Sequence, residues 1–364
     1  MVAGLRALGA VIDDCDPKCW KITGITHFPD EAVIDCGLAG TVMRFLPGVA
    51  SLSAGMTTFF GDEAASHRPM EPLVSGLRQL GAQVSGISLP IQVSGPLTGS
   101  VAVIDSSSSS QFISALLLVG PRLANGLTIT HTGTATVPSQ PHIDMTLAGL
   151  ADRGVSVFQR GSIWEVLPGP IAARDEVIEP DLTTAAVFLG AALVCGGQVS
   201  IAAWPTQSTQ PGWRILGILE QMGAVVELTD SGVTVTGQGE IRGIDIDLRE
   251  TSELTPVVAA VAALASTESH LRGISHIRGH ETDRLAALSA EISGLGGECR
   301  QTEDGLVIIP RPLSPGVFHT YADHRMAHAG ALIGLRVNGI CLDDVGCTSK
   351  TTPDFPETWE AMAA

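Results

Sequence analysis

The sequence predicts an α/β fold that is built from repeated units. Its 364 residues are enough for two domains, or for three, and 45% of them are hydrophobic while only 16% are charged, so the chain can bury a substantial core. A helical pattern that ends in glycine, followed by strand patterns, recurs at intervals of about 70 residues. Periods of this length indicate repeated supersecondary units.

The repeat is clearest at its helix ends. An apolar stripe at helical spacing precedes each of five glycines, and a glycine just past such a stripe is the usual helix stop. These are Gly9, Gly81, Gly154, Gly223 and Gly296. The residues after each glycine read as a strand, and a second strand pattern returns about 15 residues later.

Each unit also contains a second helix. These helices begin near residues 39, 109, 181, 253 and 322, and a short strand pattern follows each of them. The first glycine stop falls at Gly9, so only the end of its unit is present. We therefore expect that about 60 residues, with a strand and a helix, are missing ahead of Met1.

Composition excludes several classes of protein. The net charge of −17 argues against nonspecific nucleic-acid binding, which needs clustered cations. No apolar run is long enough for a membrane-spanning helix, and the start of the chain does not resemble a signal peptide. Seven cysteines without a CxxC pair favour free thiols in a reducing compartment. These features predict a cytoplasmic protein.

Cations at the predicted helix starts are the most informative feature. A helix N-terminus attracts anions, so a cation there is unfavourable by about 0.3–1 kcal/mol. Because cations recur at several helix starts despite this cost, we infer that they bind a polyanion, whose charged groups would be phosphates or carboxylates. The cations at or near helix starts are Arg44, Arg68, Arg284, Arg325 and Lys350.

Polar residues at the same helix starts allow two interpretations, one functional and one structural. Glu253 and Glu281 are ionised among cations and act either as proton acceptors or as structural salt-bridge partners. The Ser106–Ser110 run is either a flexible linker or a loop that holds an anion before an apolar helix. Simple helix capping is the alternative for Ser109, Asp181 and Thr351.

Six motifs, in this order, resemble the EPSP synthase family (3-phosphoshikimate 1-carboxyvinyltransferase). They are LAGTVMR (38–44), SHRPMEPL (66–73), SSQF (109–112), HETDRL (280–285), DHRMA (323–327) and CTSKTTPDF (347–355). The resemblance covers essentially the whole chain. It implies the two-domain enolpyruvyl transferase fold, with three βαβαββ units in each domain, six in all, the first of them incomplete here. The expected lobes are 1–178 and 179–364.

The resemblance also implies a reaction. The enolpyruvyl group of phosphoenolpyruvate passes to the 5-hydroxyl of shikimate 3-phosphate and phosphate is released, a step of the shikimate pathway toward chorismate and the aromatic amino acids. The expected partners are these two small molecules, with no cofactor, no metal, no nucleic acid and no membrane. A monomer is expected, and one site is expected to draw on both lobes.

Motif matching implies a role for each candidate residue. Glu253 is the expected proton acceptor and Glu281 a second acid/base. The expected phosphoenolpyruvate ligands are Gly40, Arg44, Arg68, Gln111, Arg284, Arg325 and Lys350. The expected shikimate 3-phosphate ligands are Ser109, Ser110, Gln111, Ser139, Glu253 and His280.

The chain departs from the family pattern at several positions. Glu253 stands where many members have Asp, His280 replaces a common Lys, and His276 replaces a usual Asn. The family's N-terminal PGSKS…NR segment is absent, so we expect this chain to show little activity. The alternatives are a non-catalytic remnant that still binds anions, or another enolpyruvyl transferase.

Overall fold

The chain forms two compact units in the computed structural model, which describes residues 1–363. The first unit is Met1–Asp175 and the second is Glu176–Ala364. The division expected from the sequence, between 178 and 179, lies three residues beyond this one. Each unit has its own hydrophobic core.

Helices and strands alternate along the whole chain. The helices are α1 (Val2–Ala7), α2 (Gly40–Ala50), α3 (Glu63–Ser66), α4 (Glu71–Gln79), α5 (Gln111–Val119), α6 (Gln140–Ala151), α7 (Leu182–Cys195), α8 (Ile215–Gln221), α9 (Thr255–Ala263), α10 (Arg284–Gly294), α11 (His324–Gly334) and α12 (Phe355–Ala363). The strands of the first unit are β1 (Val11–Asp16), β2 (Cys19–Thr23), β3 (Glu31–Asp35), β4 (Met56–Phe60), β5 (Gln83–Val84), β6 (Ile91–Ser94), β7 (Val101–Ile104), β8 (Leu127–His131), β9 (Val157–Arg160) and β10 (Ile163–Val166). Those of the second are β11 (Gln198–Ala202), β12 (Ala224–Thr229), β13 (Gly232–Gly237), β14 (Asp245–Asp247), β15 (Ser269–Arg272), β16 (Glu298–Gln301), β17 (Leu306–Ile309), β18 (Gly316–Phe318) and β19 (Ile340–Leu342).

The predicted βαβαββ unit is confirmed. It occurs in full three times, with sheet orders β3-β4-β6-β5, β7-β8-β10-β9 and β14-β15-β17-β16. In each sheet the first two strands are parallel and joined through a helix, and the last two form an antiparallel hairpin. A parallel pair needs such a crossover connection, whereas a hairpin needs only a tight turn.

The remaining sheets contain part of the pattern. β11, β13 and β12 form a three-stranded sheet, and β1-β2 and β18-β19 are two-stranded. Within the described residues, no strand precedes α7 where the repeat would place one. Pro168, Pro170 and Pro180 lie in that stretch, and proline cannot donate to a strand ladder.

The five predicted helix stops are confirmed by backbone geometry. Each glycine has a positive φ, the conformation that favours glycine after a helix. The φ angles are +103° at Gly9, +104° at Gly81, +79° at Gly154, +111° at Gly223 and +91° at Gly296. The chain therefore turns in the same way after each of these helices and enters the next strand.

Helices occupy the interior of each unit and sheets form its outer surface. Every residue of α9 is buried, and α7 and α11 pack against it. In the first unit α5 packs against α2, α4 and α6. The strands alternate instead, as in β7, where Val101 and Val103 are exposed while Ala102 and Ile104 are buried. No helix over residues 1–363 combines the length and apolar character that crossing a membrane needs.

Replacement of Gly223 should destabilise the second unit. A Cβ at this position would lie 2.8 Å from the carbonyl oxygen of Glu240, at a φ that L-residues rarely adopt. We expect Gly223→Ala to cost about 2 kcal/mol or more of unfolding free energy in urea denaturation.

The matched control is Gly217→Ala, in the neighbouring helix α8. No atom lies within 4 Å of a Cβ added there. Because alanine favours a helix over glycine, this variant should be unchanged or more stable by up to about 1 kcal/mol. If the two variants are equally stable, position 223 does not require the positive φ that glycine adopts easily.

Candidate active site

Arg44 is the centre of a polar cluster in the first unit. It lies on α2 and is only 4% exposed. Its Nη1 donates to Oε1 of Gln111 at 2.9 Å and to Oγ of Ser109 at 3.3 Å, and its Nη2 donates to the carbonyl of Pro69 at 3.0 Å. The guanidinium carbon also lies 5.1 Å from the centre of the Phe112 ring. Arg44 thus fixes the start of α5 against α2.

Gly40 opens α2 beside a second arginine. Arg68 reaches this helix start and donates from Nη1 to the carbonyl of Leu38 at 3.0 Å. A Cβ on Gly40 would lie 2.9 Å from Nη2 of Arg68 and 3.2 Å from Oε1 of Gln111. The helix start therefore presents backbone N–H groups and an arginine in the same place, which suits a phosphate or a carboxylate.

The serine loop is held by a histidine. The backbone N–H of Ser106 donates to Nδ1 of His131 at 3.0 Å, so Nε2 of this ring carries the proton and donates to the carbonyl of Ala135 at 2.9 Å. His131 thereby joins the loop before α5 to the loop that leads to α6. The serine run is an ordered loop rather than a linker.

The three predicted serines occupy helix starts. Ser110 is the N-cap of α5 and is buried, and Ser109 accepts the N–H of Gln111 at 3.3 Å. Ser139 is the N-cap of α6, with a left-handed φ of +52°. Of the other expected caps, Asp181 accepts from two backbone N–H groups of α7, whereas Thr351 does not cap α12, which begins four residues later.

Arg284 is the centre of the corresponding cluster in the second unit. It is 1% exposed, and all five of its N–H donors have partners. Asp323 receives Nε at 2.8 Å and Nη2 at 3.2 Å. Glu253 receives Nη1 at 2.7 Å, Glu281 receives Nη2 at 2.9 Å, and Nδ1 of His280 accepts from Nη1 at 3.0 Å.

Two further cations complete the charge balance of this cluster. Nε of Arg325 lies 2.8 Å from Oε2 of Glu253, and Nζ of Lys350 lies 2.6 Å from Oε1 of Glu281. The sequence left Glu253 and Glu281 either as proton acceptors or as salt-bridge partners, and both carboxylates pair with cations here. The assignment of these cations to a bound polyanion stays a prediction.

The cluster determines the charge of Glu253. Burial by itself would raise the pKa of this carboxyl, but the charges of Arg284 and Arg325 outweigh burial and hold the pKa well below its usual value. Glu253 is therefore ionised at neutral pH, with Oε2 in contact with Arg284 and Arg325.

The two unusual histidines are neutral. Burial lowers the pKa of His280 and of His276 to about 4, against the opposing effect of Glu253. Because Arg284 donates to Nδ1 of His280, the proton of this ring is on Nε2, which has no hydrogen-bond partner within the described residues. His276 is held by Oγ of Ser252 at 2.9 Å. His280 thus supplies a neutral donor where the family commonly has a charged lysine.

Asp323 is a site residue that the sequence argument did not single out. It is fully buried, it binds Arg284 through both oxygens, and it also caps α11 by accepting the N–H of Arg325 at 2.9 Å. Its pKa is lowered by Arg284 despite the opposing effect of burial. An aspartate directly before a helix that carries a histidine and an arginine was the signal available in the sequence.

These clusters define a class of protein. Each of the two α/β units has a cluster of polar and charged side chains at its helix starts, and in the second unit a carboxylate lies among cations. An enzyme that converts small anionic substrates needs groups of these kinds. The chain belongs to the EPSP synthase family, because the family model, described as EPSP synthase (3-phosphoshikimate 1-carboxyvinyltransferase), matches residues 1–359.

Solved structures agree with this assignment. The chain is similar to an EPSP synthase from Acinetobacter baumannii solved at 2.37 Å, with a TM-score of 0.80 and 22% sequence identity over 99% of this chain and 86% of that one. A second structure of EPSP synthase from Acinetobacter baumannii gives a TM-score of 0.78 at 22% identity and the same coverage. At this identity the likeness establishes the fold.

The predicted family, fold and activity are therefore confirmed. The protein is a transferase of the shikimate pathway, which leads to the aromatic amino acids, and its substrates are small molecules. The roles of individual residues stay predictions. The structure brings Glu253, Glu281, Arg284, Arg325 and Lys350 into one cluster, and Arg44, Gln111 and Ser109 into another.

Buried histidines beside the second cluster make stability depend on pH. Burial lowers the pKa of His328 to about 3 and that of His324 to about 4. Below about pH 6.5 the unfolded chain binds protons that the folded chain does not, so stability falls as the pH decreases. Each such histidine should cost about 2 kcal/mol between pH 7 and pH 5.

The comparison variant is His328→Phe. The His328 ring packs 4.6 Å from the ring of Phe355 in an aromatic group, so phenylalanine suits the position. Urea unfolding at several pH values should show a smaller loss of stability between pH 7 and pH 5 than in the parent chain. Parallel stability curves would show that His328 takes up protons equally in the folded and the unfolded chain.

Proposed function

We propose that the enolpyruvyl transfer uses Glu253 as the acceptor of the hydroxyl proton and the surrounding cations as ligands of phosphoenolpyruvate. One observation carries this proposal. Oε2 of Glu253 lies between Nη1 of Arg284 at 2.7 Å and Nε of Arg325 at 2.8 Å. A base and the cations that attract its anionic co-substrate are therefore in direct contact.

Binding and base strength are coupled in this arrangement. A carboxylate whose pKa is held far below neutrality is a weak base. The phosphate and carboxylate of phosphoenolpyruvate compete with Glu253 for Arg325 and with Glu281 for Lys350. A cation that binds the substrate no longer stabilises the ionised form of its carboxylate partner. The pKa of Glu253 therefore rises toward neutrality, where a carboxylate is a stronger base, when the co-substrate is bound.

Arg284 has a more constrained role. All its donors have internal partners, so it binds phosphoenolpyruvate only by exchanging Glu253 or Glu281, while Asp323 keeps the guanidinium in position. Arg325 and Lys350 each have one carboxylate partner in this cluster and exchange more readily. When a cation exchanges its carboxylate for phosphoenolpyruvate, the negative charge of the substrate replaces that of the carboxylate, so the cation stays neutralised.

The first cluster supplies further ligands under this proposal. The start of α2 at Gly40, with Arg68 and Gln111, binds phosphoenolpyruvate, and Arg44 holds Gln111 in place. Ser109, Ser110, Ser139 and Gln111 bind shikimate 3-phosphate, together with Glu253 and the Nε2–H of His280. A neutral histidine donor suits a hydroxyl group better than a phosphate.

The chemical steps follow from these assignments. The methylene carbon of phosphoenolpyruvate gains a proton, the 5-hydroxyl oxygen adds to C2, and the hydroxyl proton passes to Glu253. The tetrahedral intermediate then loses phosphate and a methyl proton, which gives the enol ether. Under this proposal Glu281, which pairs with Lys350, exchanges the proton of the methyl or methylene group.

We further propose that the protein acts as a cytoplasmic monomer.

Substrate choice tests the proposal against another enolpyruvyl transfer. Phosphate release from phosphoenolpyruvate should require shikimate 3-phosphate and should not occur with UDP-N-acetylglucosamine. Release with the nucleotide sugar alone would assign the chain to a different acceptor. Release with neither, while phosphoenolpyruvate still binds, would favour an anion-binding protein without catalysis.

Glu253→Gln should nearly abolish turnover. The amide keeps the shape of the side chain but accepts no proton, so we expect kcat to fall by roughly 10²–10⁴-fold. The affinity for phosphoenolpyruvate should not weaken, because a competitor for Arg325 has been neutralised. Glu227→Gln, an exposed position on β12, is the matched control and should behave like the parent. Normal turnover of Glu253→Gln would mean that another group takes the proton.

Gly40→Ala should discriminate between the two substrates. The added Cβ would contact the terminal atoms of Arg68 and Gln111, where the phosphoenolpyruvate phosphate is proposed to bind. The KM for phosphoenolpyruvate should rise more than the KM for shikimate 3-phosphate in steady-state assays. Gly149→Ala on α6, where an added Cβ meets no atom within 4 Å, is the control. Equal increases in both KM values would show that the start of α2 does not distinguish phosphoenolpyruvate from shikimate 3-phosphate.

A further inference from the structure

The segment before Asp323 has an unusual backbone. Tyr321 and Ala322 both lie in the left-handed region, with φ angles of +55° and +54°. Non-glycine residues rarely adopt this conformation and hold it only where surrounding contacts impose it. Two of them in succession stand directly before the residues that cap α11 and carry Arg325. The contacts that fix this segment therefore bear on the candidate active site.

Glu291 supplies the first of these contacts. Its side chain lies on α10 and is 8% exposed. Oε1 accepts the hydroxyl of Tyr321 at 2.6 Å, and Oε2 accepts the backbone N–H of His319 at 2.8 Å. Within the described residues, Glu291 has no arginine or lysine as an ion-pair partner, and the His319 ring lies 3.4 Å away. Hydrogen bonds from the segment thus satisfy a buried carboxylate that the proposed mechanism does not use.

Two other contacts complete the restraint. The backbone N–H and the hydroxyl of Thr320 both donate to Oδ1 of Asp343, at 2.8 and 2.9 Å. At the end of the segment, Asp323 is held by Arg284 through both oxygens. Glu291 and Arg284 both lie on α10, about two turns apart. One helix therefore holds the segment at both ends.

We propose that Tyr321 and Glu291 are positioning residues for phosphoenolpyruvate binding: their hydrogen bond holds Tyr321 and Ala322 in the left-handed conformation that places Arg325 beside Glu253. This inference rests on the proposed function of Arg325. The Tyr321 hydroxyl donates to Glu291, the backbone of Tyr321 and Ala322 sets the direction in which the chain enters α11, and Arg325 lies in the first turn of that helix. The hydrogen bond to Glu291 also raises the pKa of Tyr321 to about 12, so the hydroxyl remains a donor at any assay pH.

Tyr321→Phe tests the proposal, because it removes the hydroxyl and keeps the ring. We expect the KM for phosphoenolpyruvate to rise about tenfold, as for the loss of a hydrogen bond to a charged group, and the KM for shikimate 3-phosphate to change much less. A purely structural residue would reduce the folded fraction, which lowers the apparent kcat and leaves both KM values unchanged. The matched control is Trp213→Phe, which removes a single aromatic donor to the carbonyl of Pro205.

A second substitution that restores phosphoenolpyruvate binding provides an independent test. Glycine adopts a φ of +54° without strain, so Ala322→Gly added to Tyr321→Phe should recover much of the affinity for phosphoenolpyruvate. If Tyr321→Phe does not fold, the same measurements are made on Glu291→Gln. Three outcomes would overturn the proposal: an unchanged KM for phosphoenolpyruvate in the folded variant, equal effects on both KM values, or failure of both variants to fold. In none of them does the contact act on phosphoenolpyruvate binding in particular.

The measurement also separates this inference from the proposed function. A parent chain in which no phosphate release depends on shikimate 3-phosphate, however slow the turnover, contradicts the proposed function. In that case, the affinity for phosphoenolpyruvate is measured directly by calorimetry in the parent and in Tyr321→Phe, and the same tenfold loss is expected. A parent that turns over normally, with Tyr321→Phe equal to it, contradicts only the inference drawn from residues 319–322.

Discussion

The second unit depends on one buried guanidinium. Arg284 joins residues that are far apart in the sequence, since Asp323 lies 39 positions and Glu253 31 positions away. A buried arginine without partners would be very costly, and removal of one partner of such a pair typically costs about 3–5 kcal/mol. The same contacts that stabilise the charge therefore fix Glu253, Glu281 and Asp323 relative to each other, and the geometry of the candidate site follows from a requirement of folding.

This arrangement explains how so many charges coexist before a substrate arrives. Three carboxylates and three cations form a balanced set in which each proposed ligand of an anion already has an internal partner. In the first unit, Arg44 meets neutral groups instead, namely an amide, a hydroxyl and a backbone carbonyl.

The sequence alone predicts the repetitive parts of this structure. Glycine stops such as Gly81 follow from local rules, since a positive φ after an apolar stripe needs no tertiary information. The family motifs likewise identify which charged residues matter. The pairing of Arg284 with Asp323 was not predicted, because it depends on how α10 packs beside the start of α11. The neutral state of His280 also required burial and a fixed partner to be known, and neither is visible in the order of the residues.

The coupling between substrate binding and the charge of Glu253 is the central claim of this account. Its most direct test is a pH titration of the Glu253 carboxyl by carbon NMR, with the signal assigned by its loss in Glu253→Gln. We predict a pKa well below that of an ordinary glutamate in the free protein and a clear increase when phosphoenolpyruvate is bound. An ordinary pKa in the free protein, or a depressed pKa that the co-substrate leaves unchanged, would contradict it.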